Sequence, residues 1–170
     1  MSVTVYIGFG SNMGDREAIF RASLESITKV PGTEVTAHSK LYETEPVGLV
    51  DGGREFLNGA IALETTLPPA DLMTFLRSIE QRLGKSPTHR SNESRPIDLD
   101  MLLYGDGIIQ EDGLTVPHPR MHTRGFVLAP LAEIAPDAVH PVLNRTVSVL
   151  LSRLADEELR SVRKRDRLPA

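Results

Sequence analysis

Hydrophobic and polar residues alternate in four segments of the chain, which is the pattern of β-strands with one buried face. The alternation predicts strands over residues 3–8, 34–44, 56–64 and 97–104. The second and third segments follow each other directly, joined by "EPVGLVDGGRE". They therefore predict two successive strands without a helix between them.

Two other segments carry hydrophobic residues at helical spacing. The first follows the opening strand and places Phe20, Leu24 and Ile27 on one face. The second begins at a proline pair and stops at Gly84, as helices commonly do. Its hydrophobic face consists of Leu72, Phe75, Leu76, Ile79 and Leu83. The element order is then β-α-β-β-α-β, which predicts a ferredoxin-like α+β core, an antiparallel sheet with helices on one face.

The segment 105–170 predicts additional elements on this core rather than a second domain. It includes a short amphipathic helix with Val147, Leu150, Leu151 and Leu154. A chain of 170 residues with 40% hydrophobic content can bury one core. We therefore expect a single domain over residues 1–170, whose second sheet face needs either cover or a use.

Composition narrows the class of protein. The chain has no cysteine, which excludes disulfides, thiolate nucleophiles and cysteine metal sites. Its start, "MSVTVYIGFG", has no basic region and no long apolar run, so we expect a soluble cytoplasmic protein. A net charge of -4 argues against nucleic acids and anionic membranes as partners. The basic run "RSVRKRDRLPA" has no aromatic residues for base stacking and predicts a solvated tail.

The fourth strand carries two carboxylates in "RPIDLDMLLYG". Side chains alternate across a strand, so Asp98 and Asp100 share the face opposite Ile97, Leu99 and Met101. Two neighbouring carboxylates repel each other, and Mg²⁺, which prefers carboxylate and phosphate oxygens, would relieve the repulsion. The alternative is an exposed strand edge with two solvated aspartates.

The loop before this strand is cationic. It contains Lys85, His89, Arg90 and Arg95. Beside two carboxylates, such a loop suits a polyphosphate whose charge is shared between Mg²⁺ and Lys or Arg donors. By itself, a charged loop is commonly just solvated.

A second candidate site lies in "FLNGAIALE". Phe56 and Asn58 share the strand face opposite Leu57, so an aromatic ring and an amide project together. This pair suits a flat heterocycle with hydrogen-bonding edges. The alternative is an exposed phenylalanine beside an edge asparagine.

Two glycine-containing segments resemble nucleotide-binding motifs without matching them. "GFGSNMG" has Met13 where a dinucleotide-binding turn requires glycine, and the parallel strand series is missing. "LGKS" resembles the end of a P-loop, but Ile79 occupies the position of its first glycine. The sequence therefore argues against both a Rossmann-type oxidoreductase and a Walker-type nucleotidase.

Five motifs occur in order over residues 5–136: "YIGFGSNMGD", "LYETEPVG", "FLNGAIALET", "SRPIDLDMLLYG" and "LTVPHPRMHTRGFVLAPLAEIAP". Together they resemble the 6-hydroxymethyl-7,8-dihydropterin pyrophosphokinases of folate biosynthesis. The resemblance implies a ferredoxin-like fold and the binding of ATP with two Mg²⁺. It also implies transfer of the β,γ-pyrophosphoryl unit to the pterin hydroxymethyl oxygen, with release of AMP. We expect a monomer whose partners are these small molecules.

The same resemblance implies roles for individual residues. Asp98 and Asp100 match the metal-binding aspartates, and Arg95 matches the arginine before them, which leaves these three as the catalytic set. Residues implied to bind the pterin are Thr44, Pro46, Val47, Gly48, Phe56, Asn58 and Phe126. Residues implied to bind ATP are Glu80, Lys85, Arg95, His118 and Arg124. For Glu80 the alternative is a surface position on its helix, for His118 a turn residue between prolines, and for Arg124 a surface arginine.

The chain also departs from the family pattern before the aspartates. Many members carry several arginines and a Trp-Gly-Pro-Arg run, whereas this chain reads "GKSPTHRSNESR". Lys85 offers a point charge where an arginine fork is common. We expect the loop 85–95 to close over the substrates and exclude water. The departure also leaves open a pterin- or nucleotide-binding protein without turnover, although two retained aspartates favour the enzyme.

Overall fold

A computed structural model describes residues 1–44, 54–86, 94–111 and 113–164 of the chain. Its strands are β1 (Val3–Ser11), β2 (Thr33–His38), β3 (Tyr42–Thr44), β4 (Phe56–Thr65), β5 (Asp98–Tyr104), β6 (Ile109–Glu111), β7 (Leu114–Val116), β8 (Val139–His140), β9 (Arg145–Thr146) and β10 (Val162–Lys164). Its helices are α1 (Arg16–Thr28), α2 (Pro69–Arg82), α3 (Gly125–Ile134), α4 (Val147–Ser152) and α5 (Asp156–Arg160), with a 3₁₀ turn at Met121–Thr123.

The main sheet is antiparallel and has the order β10-β3-β4-β1-β5, with β2 also pairing β4. Its centre is the long pairing of β1 with β4, which runs from Val3 opposite Thr65 to Ser11 opposite Leu57. This arrangement confirms the predicted α+β, ferredoxin-like class. It also places β5, with its two aspartates, at one edge of the described sheet.

The predicted strand over 34–44 is divided into β2 and β3. Both strands pair with β4, and Ser39 lies between them. The buried Ser39 hydroxyl accepts the Ala60 N–H at 2.9 Å, while the Ser39 N–H donates to the Ala60 carbonyl. The Ser39 side chain thus takes the place of a backbone acceptor in the pairing with β4. The alternation of hydrophobic and polar residues does not reveal such a substitution.

Helices α1 and α2 cover one face of the sheet. Phe20, Ile27, Leu72, Leu76 and Ile79 pack there against β1, β4 and β5. Phe75, which the helical spacing also placed on this face, is 37% exposed, so that assignment was wrong. Helix α2 begins with a proline in its first turn, and Gly84 follows it at φ +108°, a left-handed conformation that suits glycine.

The C-terminal elements lie on the second face. Met121, Leu128, Leu131, Val147 and Leu150 pack against Ala60 and Leu102 of the sheet. The predicted amphipathic helix is confirmed as α4, with Val147 and Leu150 buried. The helices α3 and α4 therefore cover part of this face, and a cavity occupies the part beside them.

The predicted solvated tail was wrong for its first residues. Strand β10 pairs antiparallel with β3, with Val162 opposite Thr44. Arg163 forms ion pairs with Glu43 and Glu55. Residues 165–170 lie outside the described residues. Within the parts of the chain that the structure describes, no helix has the length and hydrophobicity needed to cross a bilayer.

Candidate active site

A cavity of about 420 Å³ lies on the second face of the sheet, where β1, β4 and β5 meet the start of α3. Nine residues predicted for the site line it: Thr44, Phe56, Asn58, Arg95, Asp98, Asp100, His118, Arg124 and Phe126. These residues come from six separate segments of the chain. The fold therefore brings together the predicted phosphate and pterin residues in one space.

The two aspartates lie on the cavity face of β5. Asp98 and Asp100 line the cavity, whereas Ile97, Leu99 and Met101 are buried on the opposite face, as the alternation predicted. Burial, followed by the charge of Asp98, raises the pKa of Asp100 to about 6. The charge of Asp98 thus disfavours the ionised form of Asp100, and a cation between the two carboxylates would remove this repulsion.

Asp98 is held by two cationic side chains. The Lys85 ammonium lies 2.5 Å from one carboxylate oxygen, and the Arg95 guanidinium pairs with the other. The Asp98 side chain is 23% exposed, so these pairs are partly shielded from water. Lys85 does not line the cavity but lies behind Asp98, where it balances the carboxylate charge.

Glu80 is a buried carboxylate at the back of β5. It is only 2% exposed, which makes the alternative of a surface helix position wrong. One Glu80 oxygen accepts the backbone N–H of Leu99 at 2.7 Å, and Lys85 approaches the same oxygen at 3.5 Å. Its other oxygen pairs with Arg77. Glu80 does not line the cavity; it satisfies an edge-strand N–H between the two aspartates.

The end of β1 fixes the backbone of Arg95. Asn12 is buried, and its N–H donates to the Arg95 carbonyl at 3.1 Å. In return, the Arg95 N–H donates to the Asn12 side-chain oxygen at 2.8 Å. These paired bonds hold Arg95 in the cavity wall beside Asp98.

Two aromatic rings and two polar side chains form the other half of the cavity. Phe56 and Asn58 lie on the cavity face of β4, and Phe126 lies in the first turn of α3. Thr44, on the neighbouring strand, donates its hydroxyl proton to the Asn58 carbonyl oxygen at 2.8 Å. An aromatic surface with an oriented amide can bind a flat heterocycle along its face and its polar edge.

His118 and Arg124 come from the segment between β7 and α3. The His118 N–H donates to the Leu102 carbonyl at 3.0 Å, which ties this segment to β5. Nδ1 of His118 accepts the Arg120 N–H, so the proton of the neutral ring resides on Nε2. Burial, with Arg124 and Arg120 nearby, lowers the pKa of His118 to about 4. His118 is therefore a neutral donor at physiological pH. It also lines the cavity, which a residue that served only the turn between the prolines would not need to do.

The glycines of "GFG" form part of the cavity floor. Gly8 and Gly10 lie within β1, where their missing side chains leave space for the cavity. A Cβ on Gly10 would lie 3.1 Å from the Asn58 amide nitrogen, closer than ordinary contact. Because these glycines lie in a strand of an antiparallel sheet, they do not form a dinucleotide-binding turn.

Sequence reasoning missed Glu158 and Ser161, which line the cavity from the C-terminal elements. Both lie in a charged stretch that has the pattern of a solvated surface, so no local signal indicates them. Pro46, Val47 and Gly48 lie outside the described residues. The same holds for His89 and Arg90 and for most of the predicted closing loop 85–95.

The chemistry of the donor set fits Mg²⁺. Two carboxylates on one strand face supply the one or two protein oxygens with which Mg²⁺ is usually held beside phosphates. Among residues 1–44, 54–86, 94–111 and 113–164, no group of three or more Asp, Glu or His side chains is placed to hold a metal ion. A bound cation would therefore complete its coordination with phosphate oxygens and water.

Comparison with known proteins identifies the family of the chain. Residues 6–136 match the 7,8-dihydro-6-hydroxymethylpterin-pyrophosphokinase (HPPK) family. The chain is 37% identical over 157 residues to the 2-amino-4-hydroxy-6-hydroxymethyldihydropteridine pyrophosphokinase of Haemophilus influenzae, covering 92% of this chain and 96% of that protein. It is 43% identical over 134 residues to the enzyme of the same name from Bacillus subtilis, covering 79% of each.

Longer proteins also contain a related region. The chain is 38% identical over 155 residues to the Schizosaccharomyces pombe folic acid synthesis protein fol1, covering 91% of this chain but 21% of that protein. A solved structure of wild-type Plasmodium falciparum HPPK-DHPS with pteroate superposes with a TM-score of 0.74 at 15% identity, over 90% of this chain and 44% of that chain. This structural likeness supports the fold. The match over residues 6–136 shows that the chain belongs to the 7,8-dihydro-6-hydroxymethylpterin-pyrophosphokinase family.

Proposed function

We propose that this protein transfers the pyrophosphoryl group of ATP to the hydroxymethyl group of 6-hydroxymethyl-7,8-dihydropterin within the cavity described above. Membership of the family gives the class, an ATP-dependent pyrophosphokinase of folate biosynthesis. One structural observation supports this cavity as the place of the reaction. Two carboxylates suited to a metal-bound polyphosphate and two aromatic rings suited to a pterin line the same cavity.

Asp98 and Asp100 would hold two Mg²⁺ ions together with the phosphates of ATP. Bound Mg²⁺ supplies charge neutralisation along the polyphosphate and aligns its oxygens. Lys85 and Arg95 compensate the charge of Asp98. Arg95 lines the cavity and can donate to phosphate oxygens that enter it, while Lys85 remains a predicted ATP contact.

The remaining side chains divide between the two substrates. Arg95 and Arg124 offer guanidinium forks to phosphate oxygens, and His118 donates from Nε2. Phe56 and Phe126 enclose the pterin ring, while Asn58 and Thr44 bind its polar edge. Pro46, Val47 and Gly48 remain predicted pterin contacts. Glu80 acts through Lys85 and Leu99 rather than by touching ATP, a revision supported by its burial behind β5.

In the proposed reaction, the hydroxymethyl oxygen attacks the β-phosphorus of ATP. The bond from this phosphorus to the oxygen bridging to the α-phosphate breaks, AMP leaves with that oxygen, and the hydroxyl proton passes to water. No dedicated general base is required, because positioning and electrostatic stabilisation can supply most of such a reaction. Cytoplasmic location, a monomeric state and a single domain over residues 1–170 remain predictions.

The test is to incubate the protein with ATP, Mg²⁺ and 6-hydroxymethyl-7,8-dihydropterin and to separate the products. AMP and pterin diphosphate formed in equal amounts are expected. Formation of ADP would indicate a different phosphoryl transfer. Binding of both substrates without AMP would favour the alternative of a binding protein without turnover, which the altered residues before Arg95 suggested.

A further inference from the structure

Two C-terminal elements border the cavity although they lie outside the family-matched residues 6–136. We call α5 and β10, residues 156–164, the C-terminal arm. Strand β10 extends the main sheet by pairing with β3, and Val162 lies opposite Thr44, a cavity residue. Glu158 and Ser161 of the arm line the same cavity. The arm therefore forms part of the wall at the end that carries the proposed pterin residues.

Glu158 makes a specific bond to helix α3. Its carboxylate accepts the backbone N–H of Gly125 at 2.8 Å, and Gly125 is the first residue of that helix. The first N–H groups of a helix have no partner within it, and a carboxylate there also interacts favourably with the helix dipole. Glu158 thus supplies an acceptor immediately before Phe126, the aromatic residue of this turn.

The arm is packed closely against this turn. A Cβ added to Gly125 would lie 3.0 Å from the Glu158 carbonyl oxygen and 3.1 Å from Val162. Real Cβ contacts are rarely so short, so only glycine allows the arm to approach this far. The Ser161 hydroxyl donates to the same Glu158 carbonyl at 2.7 Å, which fixes the link between α5 and β10.

The arm also reaches the opposite aromatic wall. Arg163 forms an ion pair of 2.7 Å with Glu55, the residue before Phe56. One short element therefore contacts the segments that carry both aromatic rings. The Arg124 carbonyl accepts the N–H groups of Val127 and Leu128, so Arg124 is tied to the first turn of α3.

We infer that the C-terminal arm completes the pterin half of the site and that Glu158 is a positioning residue, which holds the first turn of α3 and with it the ring of Phe126. This inference rests on the proposed function. It predicts that the loss of Glu158 weakens pterin binding much more than ATP binding, because Gly125 and Phe126 adjoin the arm, whereas Arg95 and Asp98 are held by Asn12 and by each other.

The experiment compares Glu158→Ala, Glu158→Gln and the control Glu157→Ala, a change at the exposed neighbour on α5. Dissociation constants for 6-hydroxymethyl-7,8-dihydropterin and for a non-hydrolysable ATP analogue with Mg²⁺ are measured by fluorescence and calorimetry, with thermal unfolding alongside. Loss of the hydrogen bond to Gly125 predicts a rise of about tenfold in the pterin constant of Glu158→Ala. The dissociation constant of the ATP analogue should change by less than about twofold, which is less than about 0.5 kcal/mol in binding free energy.

Glu158→Gln should bind pterin almost as tightly as the unchanged protein, since the amide oxygen can still accept from Gly125. Unchanged pterin binding in Glu158→Ala, an equal loss in Glu158→Gln, or a parallel loss of ATP-analogue binding would each overturn the role of Glu158. If Glu158→Ala fails to fold, Gly125→Ala replaces it, because its Cβ displaces the arm while the carboxylate remains. If Gly125→Ala then bound pterin as tightly as the unchanged protein, the inference would be overturned. Failure of the unchanged protein to bind pterin at all would instead overturn the proposed function.

Discussion

The two halves of the cavity are built from different interactions. In the phosphate half, charged groups compensate one another, as Asp98 does with Lys85 and Arg95. In the pterin half, Phe56, Asn58, Thr44 and Phe126 carry no net charge, and their positions depend on strand pairing, hydrogen bonds and packing. The phosphate half thus depends on ion pairs between lining and supporting side chains, whereas these four pterin-half residues are held without ion pairs of their own.

The halves meet at two arginine–aromatic contacts. The Arg95 guanidinium lies 5.0 Å from the centre of the Phe56 ring, and that of Arg124 lies 5.3 Å from the centre of the Phe126 ring. Such cation–π contacts are favourable but modest. Each arginine can therefore turn toward phosphate while the ring it leaves remains available to the pterin. Mutations in the phosphate half should therefore lower turnover and leave pterin affinity unchanged. Mutations in the pterin half should weaken pterin binding.

The largest effect is expected for Asp100→Asn, which removes one of the two carboxylates proposed for Mg²⁺. Loss of this electrostatic contribution should lower kcat by at least about 10²–10³-fold. The pterin dissociation constant should stay unchanged, because the aromatic half is not touched. Steady-state assays and fluorescence titration measure the two quantities. Asp106→Asn, at an exposed position in the turn after β5, is the control, and turnover near the wild-type rate in Asp100→Asn would contradict the metal assignment.

Phe126→Ala tests the other half. Loss of one stacking surface should weaken pterin binding by roughly 1–3 kcal/mol, by analogy with base–aromatic stacking. Binding of the ATP analogue should be nearly unchanged, since Arg124 retains its backbone bonds. Titration calorimetry gives both values, and Phe75→Ala, which removes an exposed ring on α2, is the matched control. A variant that binds pterin normally would exclude Phe126 from the site.

Glu80→Ala tests the support behind the phosphate half. The change leaves the Leu99 N–H at the edge of β5 without its buried acceptor, which should cost about 1–3 kcal/mol of unfolding free energy. Turnover should fall more than pterin affinity, because Lys85 and the Leu99 N–H, which lies between the two aspartates, both lose their contact with Glu80. Urea unfolding and kinetics supply the comparison. Unchanged stability and turnover together would mean that this bond does not hold the aspartates.

The smallest effect concerns His118 and pH. The folded state lowers the pKa of this ring to about 4, below its ordinary 6.5. A base whose pKa is lowered by folding contributes stability above its unfolded pKa, and that contribution is lost as the pH falls through the folded value. Between pH 7.5 and pH 4.5, the unchanged protein should therefore lose more unfolding free energy than His118→Asn. Equal losses, measured by urea unfolding at both pH values, would contradict a half-buried ring that folding keeps neutral.

The sequence predicted those features that local patterns encode. Alternation across β5 placed Asp98 and Asp100 on one face, because strand periodicity fixes which residues share a face. Phe126 was assigned to the site only through the family resemblance of its motif. The burial of Glu80 could not be predicted in this way, since it depends on how α2 meets β5 in three dimensions. The same limit applies to Ser39, whose hydroxyl enters the strand ladder, and to Glu158, which lies in a charged run typical of surface helices.

The central claim is that one cavity holds both the metal-bound phosphates and the pterin. The most direct measurement is a crystal structure of the protein with Mn²⁺, a non-hydrolysable ATP analogue and 6-hydroxymethyl-7,8-dihydropterin, with anomalous scattering used to locate the metal. Mn²⁺ peaks are expected at the carboxylates of Asp98 and Asp100, and pterin density is expected between Phe56 and Phe126. Metal bound away from both aspartates, or pterin outside these two rings, would contradict it.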